Sequence, residues 1–264
     1  YYVTHMWMAT YDNGLAATCY GPCKVTALAA DRVPVEIACK TDYPFSEVID
    51  LSVNPAQKAA FPMLFHIPGW CVKPELSVNG SAVDIVTDAK GFACIRRSWK
   101  AGDTVRLRFP MAMVVKTGRD KAPYAPYTGK HQLTVVTVPA SDSTEGLPYA
   151  SVSYGPLLFA LAIPDTKDAN TPDPSAKWRF AIDVQRPEGV VERQSMPAHW
   201  DWPLASPLKL RINAAAIDWN PKPEAPRLPA EPFASQAADE RITLVPYGCT
   251  KFRISMFPVT AVTR

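Results

Sequence analysis

Apolar and polar residues alternate with a period of two along much of the chain. From Val33 to Thr41, Val33, Val35 and Ile37 alternate with Pro34, Glu36 and Ala38; from Thr104 to Phe109, Val105, Leu107 and Phe109 face away from Arg106 and Arg108. Side chains of a strand point alternately to opposite faces, so this period predicts strands with one buried face. Lys24 to Ala29, Glu47 to Val53, Phe92 to Trp99 and Ala150 to Ile163 continue the series. Ala60 to Ile67 is a more continuous apolar run, expected of a central sandwich strand. The closing stretch, Ile242 to Pro258, reads as two short strands around Tyr247-Gly248, with Phe252, Ile254 and Met256 alternating against Lys251, Arg253 and Ser255.

Turn signals separate these runs. Asn79-Gly80 between Leu76–Val78 and Ala82–Val86 predicts a hairpin, because both residues tolerate the positive φ angles of a type I′ turn. Pro68-Gly69 and Gly102-Asp103 mark further turns. Tyr-Gly recurs at Tyr20-Gly21, Tyr154-Gly155 and Tyr247-Gly248, each time after an apolar stretch and before a strand, and predicts a repeated tight corner. Ala214 to Ala216 have helix propensity but lie in LKLRINAAAIDW, which begins with strand alternation. The predicted class is all-β: two β-sandwich-like units, mainly antiparallel, with few or no helices. The polar, proline-rich stretch 164–176 predicts a linker between a first sandwich, 1–163, and a second, smaller unit, 177–264. Residues 119–147 and the loop from Pro221 to Pro232 read as irregular excursions.

Composition narrows the function classes. The 264 residues include 27 prolines, about twice the ordinary share, which favours short strands and rigid loops. The net charge of +3 comes from interspersed signs without a basic stripe, so nucleic acid is not an expected partner. No apolar run approaches the roughly 18 residues of a membrane span, so no membrane partner is expected. The chain opens on Tyr1-Tyr2-Val3-Thr4, which reads as a cut or processed piece; a periplasmic or secreted setting is the favoured compartment. The six cysteines, at 19, 23, 39, 71, 94 and 249, sit mostly in apolar runs and read as buried free thiols.

Several stretches carry a family resemblance. They are MWMAT at 6–10, GLAATCYGPC at 14–23, TDYPF at 41–45, FPMLFHIPGWC at 61–71, VNG at 78–80, WKAGDTVRLRFPM at 99–111, ASVSYGPLLFAL at 150–161 and the closing ITLVPYGCTKFRISMFP. In this order they resemble the C-terminal region of glycoside hydrolase family 127 (GH127), the β-L-arabinofuranosidase-like family, formerly a domain of unknown function. The resemblance implies an enzyme in which an (α/α) catalytic toroid precedes β-sandwich domains, with this chain as the sandwich portion alone. Its implied partners are that toroid, in cis or in trans, and plant-type arabinose-containing glycans. The family's apparatus is a nucleophile in an adjacent Cys-Cys pair, a zinc-binding Glu-x-Cys motif and a glutamate acid/base. This chain has neither cysteine motif; Glu36 stands three residues before Cys39. No catalytic residue transfers, and zinc is expected only in the absent catalytic domain, with no cofactor in this chain.

The residues offer few other sites. Cys19 and Cys23 flank a Tyr-Gly-Pro corner and lack companions for a four-ligand metal site, so buried thiols or a local disulfide are expected there. Asp42 and Asp239-Glu240 read as turn residues. His199-Trp200-Asp201-Trp202 combines stacking rings with hydrogen-bonding groups, making Trp200, Asp201 and Trp202 the candidate carbohydrate-binding residues; core packing is the competing reading. Trp70 and Trp99 read as structural. Met6, Trp7 and Met8 are the candidate docking residues, beside the point where a preceding domain would enter. The alternatives to a sandwich supporting a toroid are a free-standing carbohydrate-binding module and a trans-docking accessory subunit.

Overall fold

The computed structural model describes residues 3–120, 146–166, 172–185, 187–199, 204–219, 228–229, 231–233 and 240–260. It divides into two compact units, Tyr1–Ala112 and Met113–Arg264. Both are built from strands, with two short 3₁₀ turns, Val3–His5 and Tyr247–Cys249, among the described residues.

The first unit contains β1 (Trp7–Ala9), β2 (Leu15–Ala17), β3 (Cys23–Ala29), β4 (Val33–Thr41), β5 (Val48–Pro55), β6 (Ala59–His66), β7 (Glu75–Val78), β8 (Ser81–Ala82), β9 (Phe92–Trp99) and β10 (Asp103–Arg108). One sheet runs β1-β2-β6-β9 and the other β3-β4-β5-β10-β7-β8. All pairs are antiparallel except β2 with β6. The period-2 pattern decides which side chains meet. Val35, Ile37, Ile49, Leu51, Val53, Val105 and Leu107 of one sheet share a buried core with Phe61, Met63, Phe65, Ile95 and Trp99 of the other. This is a two-sheet sandwich. Strand β6 lies between β2 and β9, which accounts for its continuous apolar run.

The predicted hairpin is present: Asn79 and Gly80 have φ of 51° and 80°. Its second strand is shorter than the pattern suggests, ending at Ala82, and Val86 is exposed. Side-chain hydrogen bonds onto the buried Asp103 and the β10 backbone secure the turn. The Asn79 side-chain amide donates to Asp103 (2.9 Å), while its oxygen accepts from the Thr104 N–H (2.8 Å).

The second unit contains β11 (Met113–Asp120), β12 (Leu147–Tyr154), β13 (Leu157–Ile163), β14 (Phe180–Ile182), β15 (Gly189–Arg193), β16 (Leu208–Ala216), β17 (Glu240–Pro246) and β18 (Phe252–Ile254). Its hydrogen-bonded path is β11-β12-β13-β17-β16-β14, with β15 also on β16 and β18 also on β13. The C-terminal segment joins distant parts of this path. The backbone of Phe257 exchanges both hydrogen bonds with Ala150 of β12, each 2.8 Å, while Pro258 accepts from Ile182 of β14 (2.9 Å). The sheet therefore closes back on itself through residues 257–260. Ala214 to Ala216 lie in β16, so strand pairing overrides their helix propensity.

Two expectations change. Strands β12 and β13, assigned by sequence to the first sandwich, pair with β11, β17 and β18 and belong to the second unit. Residues 164–166 and 172–176 belong to that unit, and Asp173 N–H donates to the Pro164 carbonyl (2.8 Å). Backbone pairing between segments some eighty residues apart leaves no local signature, whereas a polar, proline-rich loop does. The terminal alternation also breaks after Ile254: Phe257 is fully buried, and Met256 is exposed. The chain leaves β13 at this point and joins β12, which reverses the inward face.

Candidate functional site

Four aromatic side chains from separate segments meet at one corner of the first unit. Each stands beside a turn residue: Tyr20 before Gly21-Pro22, Tyr43 before Pro44, Trp70 after Pro68-Gly69 and Phe109 before Pro110. Strand ends carry them there, because proline stops the ladder and redirects the chain. Phe109 is fully buried and acts as the hub. Its ring centroid lies 5.5 Å from Tyr20, 6.4 Å from Tyr43 and 6.2 Å from Trp70, the last at an interplanar angle of 84°. Tyr20 and Tyr43 meet edge-on at 6.2 Å. The Tyr20 hydroxyl donates to the His66 carbonyl at the end of β6 (2.8 Å), tying the corner to the four-stranded sheet. Trp70 is half-buried in this cluster, and Trp99 is fully buried with its indole N–H on the Phe61 carbonyl (3.0 Å), so both are structural, as predicted.

The electrostatics of the corner favour neutral groups. Burial, with a further push from Tyr43, Cys39 and Cys19, holds the Tyr20 phenol well above its ordinary value. Burial also raises Tyr43, partly offset by the hydrogen bond from Trp70. Burial, followed by the proximity of Cys23, pushes the Cys39 thiol up to about 12. At neutral pH these groups stay protonated, so the corner presents ring faces and hydroxyls rather than a charged nucleophile.

The cysteines divide by face. Cys39, Cys71 and Cys249 are buried as expected, Cys23 is half-buried, and Cys19 and Cys94 are exposed. Cys94 departs from the buried reading because Ala93 and Ile95 occupy the inward positions of β9. Cys19 faces solvent, and Cys23 lies on the face shared with Cys39. Among the described residues no group of three or more His, Cys, Asp and Glu side chains could hold a metal.

Trp200, Asp201 and Trp202 lie outside the described residues. In the same unit, Trp178 and Trp219 pack edge-to-face at 5.5 Å, and the Arg179 guanidinium lies 5.2 Å from the Trp178 ring centre. A cavity of about 340 Å³ beside them is lined by Trp178, Arg179, Lys177 and Glu240. Another, of about 400 Å³, lies on the six-stranded sheet over Ala38, Ser52 and Thr104, flanked by Lys40 and the Arg106–Asp50 ion pair.

Met6, Trp7 and Met8 adjoin the aromatic corner. The Met6 carbonyl accepts from Thr18 N–H (2.9 Å), and its methyl group packs so closely on Gly21 that a β-carbon there would lie 2.8 Å away. Trp7 packs partly against the core, and Met8 is 45% exposed. The signal that Tyr20, Tyr43, Trp70 and Phe109 share in the sequence is an aromatic residue beside a proline or glycine turn at a strand end.

Residues 14–111, which include all four corner aromatics, match the family model described as the GH127 middle domain of β-L-arabinofuranosidase. The GH127 resemblance is thereby shown. Among solved structures, the chain is similar to Ara127N-Se, a GH127 β-L-arabinofuranosidase from Geobacillus stearothermophilus T6. The TM-score is 0.61, with 23% identity over 97% of this chain and 34% of that one. It is also similar to a glycoside hydrolase (TM-score 0.62, 21% identity, 95% and 36% coverage). A third is the GH127 β-arabinofuranosidase BT3674 (TM-score 0.61, 18% identity, 95% and 35% coverage). At these identities the likeness carries the fold. The chain spans about a third of the length of each of these structures. No curated protein matches. The GH127 middle-domain match falls within the first unit and includes β2 to β10.

Proposed function

We propose that this chain is the non-catalytic β-sandwich portion of a β-L-arabinofuranosidase-like glycoside hydrolase and supports an (α/α) catalytic toroid, in cis or in trans. The observation that carries this reading is the GH127 middle-domain match, made by a chain that spans about a third of the GH127 structures it resembles. The chemistry agrees with a supporting role. Tyr20, Tyr43 and Cys39 are held neutral by burial, and the sequence lacks the Cys-Cys and Glu-x-Cys motifs. In this reading zinc and the arabinose-containing substrate belong to the toroid.

The docking side is the edge at Met6, Trp7 and Met8. Strand β1 pairs with β2 alone among the described strands, leaving its other edge and the exposed Met8 side chain to meet a neighbouring domain. The test is sedimentation of the purified chain with and without a separately expressed GH127 toroid, joined to an assay on aryl arabinofuranosides with zinc and reductant. The expected result is a complex weakened by Met8→Asp and no hydrolysis by the chain alone. Turnover abolished by a substitution within this chain would refute the non-catalytic reading. A monomer with no affinity for the toroid that binds arabinan oligosaccharides would favour the free-standing carbohydrate-binding module.

A further inference from the structure

The sequence places Cys23 nearest Cys19, but the sheet gives it a different neighbour. In the antiparallel β3–β4 pair, Cys23 stands directly opposite Cys39, and the same inward row continues as Val25 opposite Ile37, Ala27 opposite Val35 and Ala29 opposite Val33. Directly opposed residues in an antiparallel pair have β-carbons about 4.5–5.5 Å apart, the nearest approach a sheet allows. Burial raises the Cys39 thiol, and the nearness of Cys23 raises it further. Cys39 is 5% exposed within the core, and Cys23 is half-buried at its margin. Cys19, four residues earlier, is solvent-exposed before the corner.

We infer that Cys23 and Cys39 form an oxidisable dithiol site, which a low-molecular-weight disulfide such as oxidised glutathione converts to a cross-strand disulfide. The half-buried Cys23 is the accessible thiol. Its thiolate attacks one sulfur of the glutathione disulfide, forming a Cys23–glutathione mixed disulfide and releasing one glutathione thiolate. Cys39 then gives up its proton and attacks the Cys23 sulfur, forming the Cys23–Cys39 bond and releasing the second glutathione. Two protein thiols are oxidised and one small disulfide is reduced to two thiols. Burial disfavours the Cys39 thiolate, so Cys39 is a poor nucleophile toward reagents in solution; its position directly opposite the Cys23 sulfur is what lets it resolve the mixed disulfide, with the departing glutathione thiolate taking up the Cys39 proton. The bond would fasten the start of β3, just after the Tyr20-Gly21-Pro22 corner, to the end of β4. The aromatic corner and this dithiol are thus coupled through three residues of chain.

The test treats the native chain with oxidised glutathione, blocks remaining thiols by rapid alkylation and maps linkages by mass spectrometry of the unreduced peptides. The expected product is a Cys23–Cys39 link, unchanged in Cys19→Ser. In Cys39→Ser the reaction should stop at the Cys23–glutathione adduct. A Cys19–Cys23 link, or a wild-type chain with no internal link under these conditions, would overturn the proposal. The wild-type map alone decides the matter should Cys39→Ser fail to fold.

Discussion

Replacing Asp103 with Asn tests whether the first sandwich depends on one buried carboxylate. Asp103 is 1% exposed, at the Gly102 turn between β9 and β10. It accepts from the Asn79 side-chain amide (2.9 Å) and the Lys100 N–H (3.0 Å), and lies 3.6 Å from the Arg97 guanidinium. Burial alone would raise its carboxyl; the Lys100 N–H, the Asn79 amide and Arg97 overcome that and hold it below its ordinary value of 3.8. Asn keeps the shape and can still accept from Asn79, but turns an N–H toward that of Lys100. A lost hydrogen bond to a charged group is worth about 1.5–3 kcal/mol, and the partly exposed Arg97 pair adds up to about 1 kcal/mol. The expected loss is therefore about 2–4 kcal/mol at pH 7, or roughly 10–20 °C in Tm for a unit of this size. The pH dependence has a definite sign. Above the unfolded value, both states are ionised and the stabilisation is complete. As pH falls through the folded value, the native carboxylate is protonated and the stabilisation is lost. Urea unfolding of wild type and Asp103→Asn should show a gap that is widest near neutrality and narrows below pH 4, with faster hydrogen exchange confined to peptides covering residues 75–82 and 92–108. A difference below about 0.5 kcal/mol at pH 7, or one that persists unchanged on acidification, would refute the reasoning.

Trp99→Ala should cost about 3–5 kcal/mol by leaving a cavity between the sheets and freeing the Phe61 carbonyl; a stable first unit in urea titrations would contradict the packing described. Gly14→Ala should destabilise by about 1–3 kcal/mol, because a β-carbon there would lie 2.4 Å from the Pro62 carbonyl oxygen; an unchanged thermal midpoint would show that β2 and β6 do not approach so closely. Tyr20→Phe keeps the ring contacts with Phe109 and Tyr43 but removes the bond to His66, so a modest loss of about 1 kcal/mol is expected by chemical denaturation.

The sequence by itself determined the strands, the main turns and the family resemblance. Period-2 alternation is written residue by residue, so Val33–Thr41 and Phe92–Trp99 are legible at their observed bounds, and Asn79-Gly80 announces its own turn. Tertiary structure decided which strands share a sheet. Pairing depends on backbone groups that every residue carries, so nothing in Leu157–Ile163 names Glu240–Pro246 as its neighbour, and the unit boundary fell elsewhere than the proline-rich stretch suggested. The same holds for the aromatic corner and for Cys23 opposite Cys39. Each residue is visible in the sequence, but convergence of Tyr20, Tyr43, Trp70 and Phe109, and the exchange of Cys19 for Cys39 as the partner of Cys23, follow from strand ends and register. Those are set by burying one face of each sheet against the other, a condition on the whole unit rather than on any segment.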